Sequence, residues 1–468
     1  MTTMKQNLQA LLITTTLIFN SIFFVNAQTM SAGGGHSTFV CATGDARATG
    51  SNTFGQLGNG TTVSTLTPLG VNGLTGIIAT SSRDQFTLFL RNDSTVWAVG
   101  YNGYGQFGND TTLNSDTAIQ IPNLTGVIKI AAGTYHSLFL KSDSTVWACG
   151  RNFSGEVGDG TQTQRDTPVQ VSSLAGIIDI AAGDYHSLFL RADSTVWACG
   201  DNQNGVLGLG SGSGLQIPNP TQITAISGVT KIAGGFRHSL FIKQDSTVWA
   251  CGNNNAGQLG DSTNIEKDLP VKINTLSGIV GISAGQQHSL FLKNDGTVWA
   301  TGENGAGQLG DGTNVGKIEP VQVNGLTGII QIAASGLYHS LFLKNDNTFW
   351  GCGQNNVGQL GDGTSVDSNI PVLVIDGCIP TGISQMNNDI TALIYPNPSN
   401  GLFNLQISGA LAGICTIGIY TLQGELVYNE KTLSSQNTID LSNNAKGLYF
   451  YKVKNNNYVI SAGKVVVN

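Results

Sequence analysis

The stretch AAGTYHSLFLKSDSTVWACG, residues 131–150, holds a histidine, a serine, an aspartate, a tryptophan and a cysteine within twenty positions. Each type can do chemistry, so the first question is whether the set occurs once or recurs. It recurs. Tryptophan stands at 97, 147, 197, 249, 299 and 350, and all six histidines keep one register, at 36, 136, 186, 238, 288 and 339. A glycine cluster of the form GQLG begins at 55, 105, 155, 205, 257, 307 and 358. One unit lacks each marker, with Arg47 in the tryptophan place and Phe86 in the histidine place. The unit therefore occurs seven times, with a period of 50 to 52 residues between tryptophans. A catalytic trio is needed once at one geometry. Side chains recurring in six of seven units belong to the scaffold of a repeat fold.

Within residues 168–200, PVQV, GIIDIAAG, HSLFLR and TVWACG read as four short strands, and the Ala-Asp-Ser between the last two as a hairpin turn. Four antiparallel strands in about fifty residues, repeated seven times, predict an all-β, seven-bladed β-propeller. The strands are almost continuously apolar, as expected where neighbouring blades cover both faces of a sheet. In this frame the first unit lacks its leading strand, and 370–375 has no strand after it. The expectation is that the C-terminal strand completes the N-terminal blade. Adjacent His and Ser on a strand point to opposite faces, so they form no dyad. There is no HExxH or CxxC, and the GDGT loops lack a calcium loop's carboxylate spacing. No catalytic residue, metal or cofactor is assigned.

The pattern W-x-x-G-x-N-x-x-G-Q-L-G, followed by P-V and G-x-x-H-S-L-x-L, resembles the regulator of chromosome condensation repeat. Kelch repeats share the period but use a Gly-Gly doublet. The resemblance spans residues 29–378 and implies the seven-bladed propeller. It implies no single function, since such propellers serve as exchange factors, photoreceptors and secreted inhibitors. Cys149, Cys199, Cys251 and Cys352 share one place with Thr49, Val99 and Thr301 and read as small core residues. Cys41 and Cys378 fall near one end of the closing blade, where a disulfide and two unpaired thiols both remain open.

Residues 1–27 read as a secretory signal peptide: Lys5, an apolar run from Leu8 to Val25, and VNA before Gln28. No later run is apolar enough to span a bilayer as a helix. The net charge of −7 disfavours nucleic acid as a partner. The propeller is assigned to 28–378 and a linker to 379–391. From 392 to 468, alternating strands and Asn/Gly turns predict a small β-sandwich. YPNPSNG, IYTLQGE, GLYFYKV and the terminal GKVVVN resemble the C-terminal sorting domain of type IX secretion. That resemblance implies contact with the secretion machinery and a secreted or outer-membrane surface-attached protein.

Binding chemistry is sought where the units differ. The two residues before each histidine are Thr134-Tyr135, Asp184-Tyr185, Phe236-Arg237, Gln286-Gln287 and Leu337-Tyr338, with Gly34-Gly35 and Asp84-Gln85 in the remaining units. These pairs should ring one face, and Tyr135, Asp184, Tyr185, Phe236, Arg237, Gln287 and Tyr338 are the candidate binding surface. The leading expectation is a non-catalytic scaffold for an unknown extracellular protein or glycan. An inhibitor of an extracellular enzyme comes second, and a polysaccharide-active enzyme or lyase third. Nucleotide exchange is the weakest, because an exported protein meets no small GTPase.

Overall fold

In the computed structural model the described residues are 30–210, 216–375, 378, 391–408, 415–421, 425–432, 436–455 and 458–468. The expected signal peptide, 1–27, and all but residue 391 of the expected linker lie outside them. Two compact units divide the chain, at 1–379 and 380–468. The first is built of seven four-stranded antiparallel sheets.

The third blade is typical. Val127–Ala132, His136–Lys141, Val146–Gly150 and Arg165–Gln170 pair in that order. The first strand of each blade packs against the first strand of the next, and Met30–Ala32 of blade 1 packs against Ile329–Ala334 of blade 7. First strands therefore line the ring axis. The second and third strands are buried nearly throughout, as in His186–Arg191 and Val196–Asp201, because a blade covers each face. Outer strands such as Lys317–Gln322 carry exposed positions.

The phase of the repeat differs from the sequence expectation. PVQV is the outermost strand of the unit before it. The blades are 30–70, 77–120, 127–170, 177–222, 229–272, 279–322 and 329–373, each continuous in the chain. Ser368–Leu373 pairs with Phe349–Gly353 of its own blade, and Met30–Ala32 pairs with His36–Val40. Among the described residues no strand is exchanged between the first and last blades, so the expected completion of the N-terminal blade by 370–375 is overturned. A repeated sequence carries no mark of where its unit begins.

Side chains close the ring instead. The Nε2 of each histidine meets the hydroxyl one repeat ahead: His36 with Thr87 at 2.8 Å, His136 with Ser187 at 3.0 Å, His186 with Ser239 at 3.1 Å, His238 with Ser289 at 2.9 Å and His288 with Ser340 at 3.1 Å. His339 meets Ser37 at 3.0 Å, across the seam between blades 7 and 1. Each serine hydroxyl donates to a carbonyl in the preceding blade's GQLG loop, as Ser289 to Gln258 at 2.7 Å and Ser37 to Gln359 at 2.6 Å. Its proton being committed, the serine accepts, so the histidine carries its proton on Nε2. The closing seam thus uses the same bonds as the others. It has one addition: Cys41, in blade 1, is disulfide-bonded to Cys378, with Cα atoms 4.9 Å apart and 337 positions of sequence between them. The other four cysteines of the ring are buried and free.

The loop after each third strand is pinned by an asparagine. Asn304 Oδ1 accepts from Leu309 N at 2.9 Å, while its amide donates to Asp311 at 3.1 Å and to Thr313 O at 2.9 Å. The Asp-x-Thr hairpins are turns, in which Asp295 Oδ1 accepts from Thr297 N and Oγ1.

In the second unit, Thr391–Tyr395, Leu402–Ser408 and Gln436–Asp440 form one sheet. Leu426–Thr432, Cys415–Tyr420, Gly447–Asn455 and Tyr458–Val467 form the other. Phe403, Leu405, Ile417, Ile419, Ile439 and Val465 fill a common core, making a small β-sandwich.

Two predictions follow from the seams. Burial pushes the imidazoles down, His36 to about 4 and the other five to about 3. Unfolded histidine titrates near 6.5, so as pH falls below that value only the unfolded chain takes up these protons. Stability present above pH 6.5 should fall toward pH 4, by up to about 1.4 kcal/mol per pH unit for each histidine. Asp84, raised to about 6, opposes this with a single group. A urea midpoint unchanged between pH 7 and pH 5 would contradict the neutral seam. Separately, Cys41→Ser should lower stability by several kcal/mol, since a closed loop this long removes about 6 kcal/mol of unfolded-chain entropy. Equal denaturation midpoints for variant and parent would exclude a latch.

Candidate functional site

The seven variable pairs lie at the turn between first and second strands of every blade, and a second tier of variable residues stacks on them. The residue after each third-strand glycine donates its N–H to the carbonyl of the second residue of the pair. Tyr101 donates to Gln85 at 3.0 Å, Arg151 to Tyr135 at 2.8 Å, Asp201 to Tyr185 at 2.8 Å and Glu303 to Gln287 at 2.8 Å. One face therefore presents both tiers.

At the axis of that face the repeat breaks, for a physical reason. In blades 1, 3, 4, 5 and 6 a glycine three residues before the histidine leaves room for the imidazole. A Cβ on Gly133, for instance, would fall within the His136 ring. Blade 2 has Phe86 in place of the histidine, and there the glycine gives way to Arg83. Arg83 is 5% exposed and reaches across the axis. Its Nε donates to Asp184 Oδ1 at 2.8 Å, and Nη1 to the carbonyls of Gly234 and Ala284 at 3.2 Å each. Blades 2, 4, 5 and 6 are thereby tied to one guanidinium. Beside it, burial and the charge of Asp184 push the Asp84 carboxyl up to about 6, against the pull of Arg83.

Around this plug, aromatic rings are gathered on one half of the face. Phe54 packs edge-on against Tyr101 at 5.2 Å, Tyr101 against Tyr135 at 6.1 Å, and Tyr104 lies 4.8 Å from Tyr135. Tyr135 lies 6.5 Å from Tyr185, and Tyr185 packs edge-on against Phe236 at 6.1 Å. Arg151 lies over both Tyr185 and Phe153, at 4.9 and 5.1 Å, and is paired with buried Glu156 at 2.5 Å. Burial, reinforced by Asp84, pushes the Tyr135 phenol up to about 12, so it stays a neutral donor. Tyr104, Tyr135, Arg151, Tyr185, Phe236 and Arg237 line a depression of about 380 Å³. That is within the range of small-molecule sites. Across the face, Gln287, Glu303, Tyr338 and Asp367 line a second one of about 290 Å³.

The candidates from the sequence thus divide. Tyr135, Tyr185, Phe236 and Arg237 come together in the larger depression, whereas Gln287 and Tyr338 border the smaller, acidic one. Asp184 is 7% exposed and is the partner of Arg83 within the axis rather than a surface residue. Sequence reasoning missed Arg83, Phe54, Tyr101, Tyr104, Arg151 and Phe153. A signal existed, since the residue after each third-strand glycine runs Ser51, Tyr101, Arg151, Asp201, Asn253, Glu303, Gln354 with no common type. Among the described residues no group of three or more histidine, cysteine or acidic side chains could hold a metal ion.

Seven blades, with histidine–hydroxyl pairs at six of their seven seams, define a propeller of the chromosome-condensation-regulator type. The family model described as RCC1-like domain matches residues 11–276 and 127–393, and the chain belongs to that family. The secretion system C-terminal sorting domain model matches 393–468. The protein is therefore secreted or attached to the outer-membrane surface, with the sorting domain engaging the secretion machinery. No helix among the described residues is long and apolar enough to cross a membrane. A search of curated proteins finds no match to the chain. Among solved structures, Prp20p of Saccharomyces cerevisiae is similar at 23% identity, covering 80% of this chain and 93% of its own, with a TM-score of 0.65. Human WBSCR16 is similar at 21% identity, covering 66% of this chain and 84% of its own, with a TM-score of 0.61. At these identities the likeness is one of fold.

The axial plug predicts an asymmetry between single and double substitutions. Asp184→Leu should destabilise by about 3–5 kcal/mol, because it leaves a buried guanidinium unpaired. Arg83→Met with Asp184→Leu should recover most of that loss. Additive losses in denaturant unfolding would show that the pair is not coupled.

Proposed function

We propose that this protein is a non-catalytic binding scaffold, exported as residues 28–378 followed by the sorting domain 392–468, which engages an extracellular protein or glycan through the aromatic half of one propeller face. The observation that carries this reading is the run of rings from Phe54 to Phe236. Tyrosine and arginine are the types that dominate binding hot spots. Here they are held by rigid blades, so little ordering cost accompanies association. The repeated histidines and serines are consumed by the seams, which leaves them no part in nucleophilic chemistry. Yeast Prp20p, a propeller of this fold, has binding properties toward Gsp1p and histones, and a further structure has it bound to Kap60. Those partners belong to that protein; what is carried over is use of the fold as a platform.

Capture from culture on the full chain tests the proposal. A stoichiometric partner should be retained, and Tyr135→Ala with Tyr185→Ala and Phe236→Ala should weaken it at least tenfold while the unfolding midpoint stays put. Unchanged affinity would remove this half of the face, and turnover of a retained polysaccharide would overturn the non-catalytic reading.

A further inference from the structure

The larger depression holds a cation that pairs with no described acidic residue. Arg151 is satisfied by Glu156, but Arg237 forms no ion pair with any described residue. Its Nε is buried without a hydrogen-bond partner, and Nη1 reaches only Asn204 Oδ1, at 3.5 Å. The guanidinium is fixed over the Phe236 ring at 5.1 Å. Nε is closed off from solvent, so a ligand carboxylate would meet the guanidinium at its Nη nitrogens, through short charge-assisted bonds.

The rest of the lining sorts among carboxylates. Asp201 also faces the depression, with one oxygen taking the Gln203 N–H at 2.9 Å. It accepts hydrogen bonds from hydroxyl groups and repels a second ligand carboxylate nearby. Tyr104, Tyr135 and Tyr185 offer ring faces together with phenol hydroxyls. One cation, one acceptor carboxylate, phenols and aromatic faces complement one carboxylate, several hydroxyls and an apolar C–H face on the same small ring. We propose that this depression binds a uronate residue of an acidic polysaccharide, with its carboxylate on Arg237 and its hydroxyls toward Asp201 and the tyrosines. An acidic peptide fits less well, because its side chains bring carboxylates without hydroxyls for Asp201 or an apolar ring face for the tyrosines. The inference rests on the binding role proposed for this face and gives that role a ligand class.

The test is calorimetric titration of the full chain with trigalacturonate and triglucuronate, beside their carboxyl-reduced neutral analogues and triglutamate. At least one uronate trimer should bind saturably, at least tenfold more tightly than its neutral analogue and than triglutamate. Arg237→Gln should abolish that preference, and Arg237→Lys should restore part of it, with the unfolding midpoint unchanged in both. Equal affinity for the neutral analogue would overturn the role of Arg237, and tighter binding of triglutamate would make the ligand a peptide. If no uronate binds while a captured partner still depends on Tyr135, Tyr185 and Phe236, this inference fails and the binding role of the face stands.

Discussion

The hydrogen bond from a buried imidazole to a hydroxyl one repeat ahead is the constraint on which the molecule depends. A propeller has no hydrophobic centre common to all its blades, and each sheet must recognise the next. Apolar packing between blades is strong but non-directional. The histidine–serine–carbonyl chain supplies direction, because a buried donor finds its acceptor only when neighbouring sheets are in register. The seam requires a neutral ring protonated on Nε2, and burial enforces it, as the partnerless Nδ1 atoms of His136, His238, His288 and His339 attest.

That constraint explains where the repeat is free to depart from itself. A glycine is held beside five of the six histidines because the imidazole occupies the space a side chain would fill. Where Phe86 removes the imidazole, the glycine is released, and Arg83 uses the vacancy to bridge the axis to Asp184. One lost seam thus becomes a bolt through the centre of the ring. Farther out, the loop after the third strand is pinned by its asparagine, so the residues around it vary without cost to the blade. Tyr101, Tyr104, Arg151 and Phe153 stand at such positions, and they complete the binding half of the face.

Much of this was legible in the sequence, and the illegible parts share a cause. Seven units follow from the tryptophan and histidine spacings, and the sandwich follows from alternating strands after 392. Which strand begins a blade did not follow, because a period has no origin; the terminal PVQV-type strand was assigned to the wrong neighbour for that reason. The opposite facing of His and Ser was read as proof against a dyad. Its positive meaning, that each faces a different blade, needed the ring in three dimensions. Arg83 was passed over because blade 2 was read for the marker it lacks rather than for what replaces it. The aromatic loop residues lay between conserved-looking scaffold positions and were absorbed into them. Asp184 stands in the sequence among the candidate surface residues, and nothing there joins it to its buried partner 101 positions away.

All six histidines are equivalent structural donors. Long-range proton–nitrogen correlation spectra of imidazole-labelled protein, recorded from pH 7.5 to 5, test this equivalence most directly. Equivalence requires six neutral rings with the proton on Nε2 across that range, shifting together if at all. One ring that titrates near pH 6.5 while the others stay silent, or one bearing its proton on Nδ1, would single out a histidine for chemistry and contradict it.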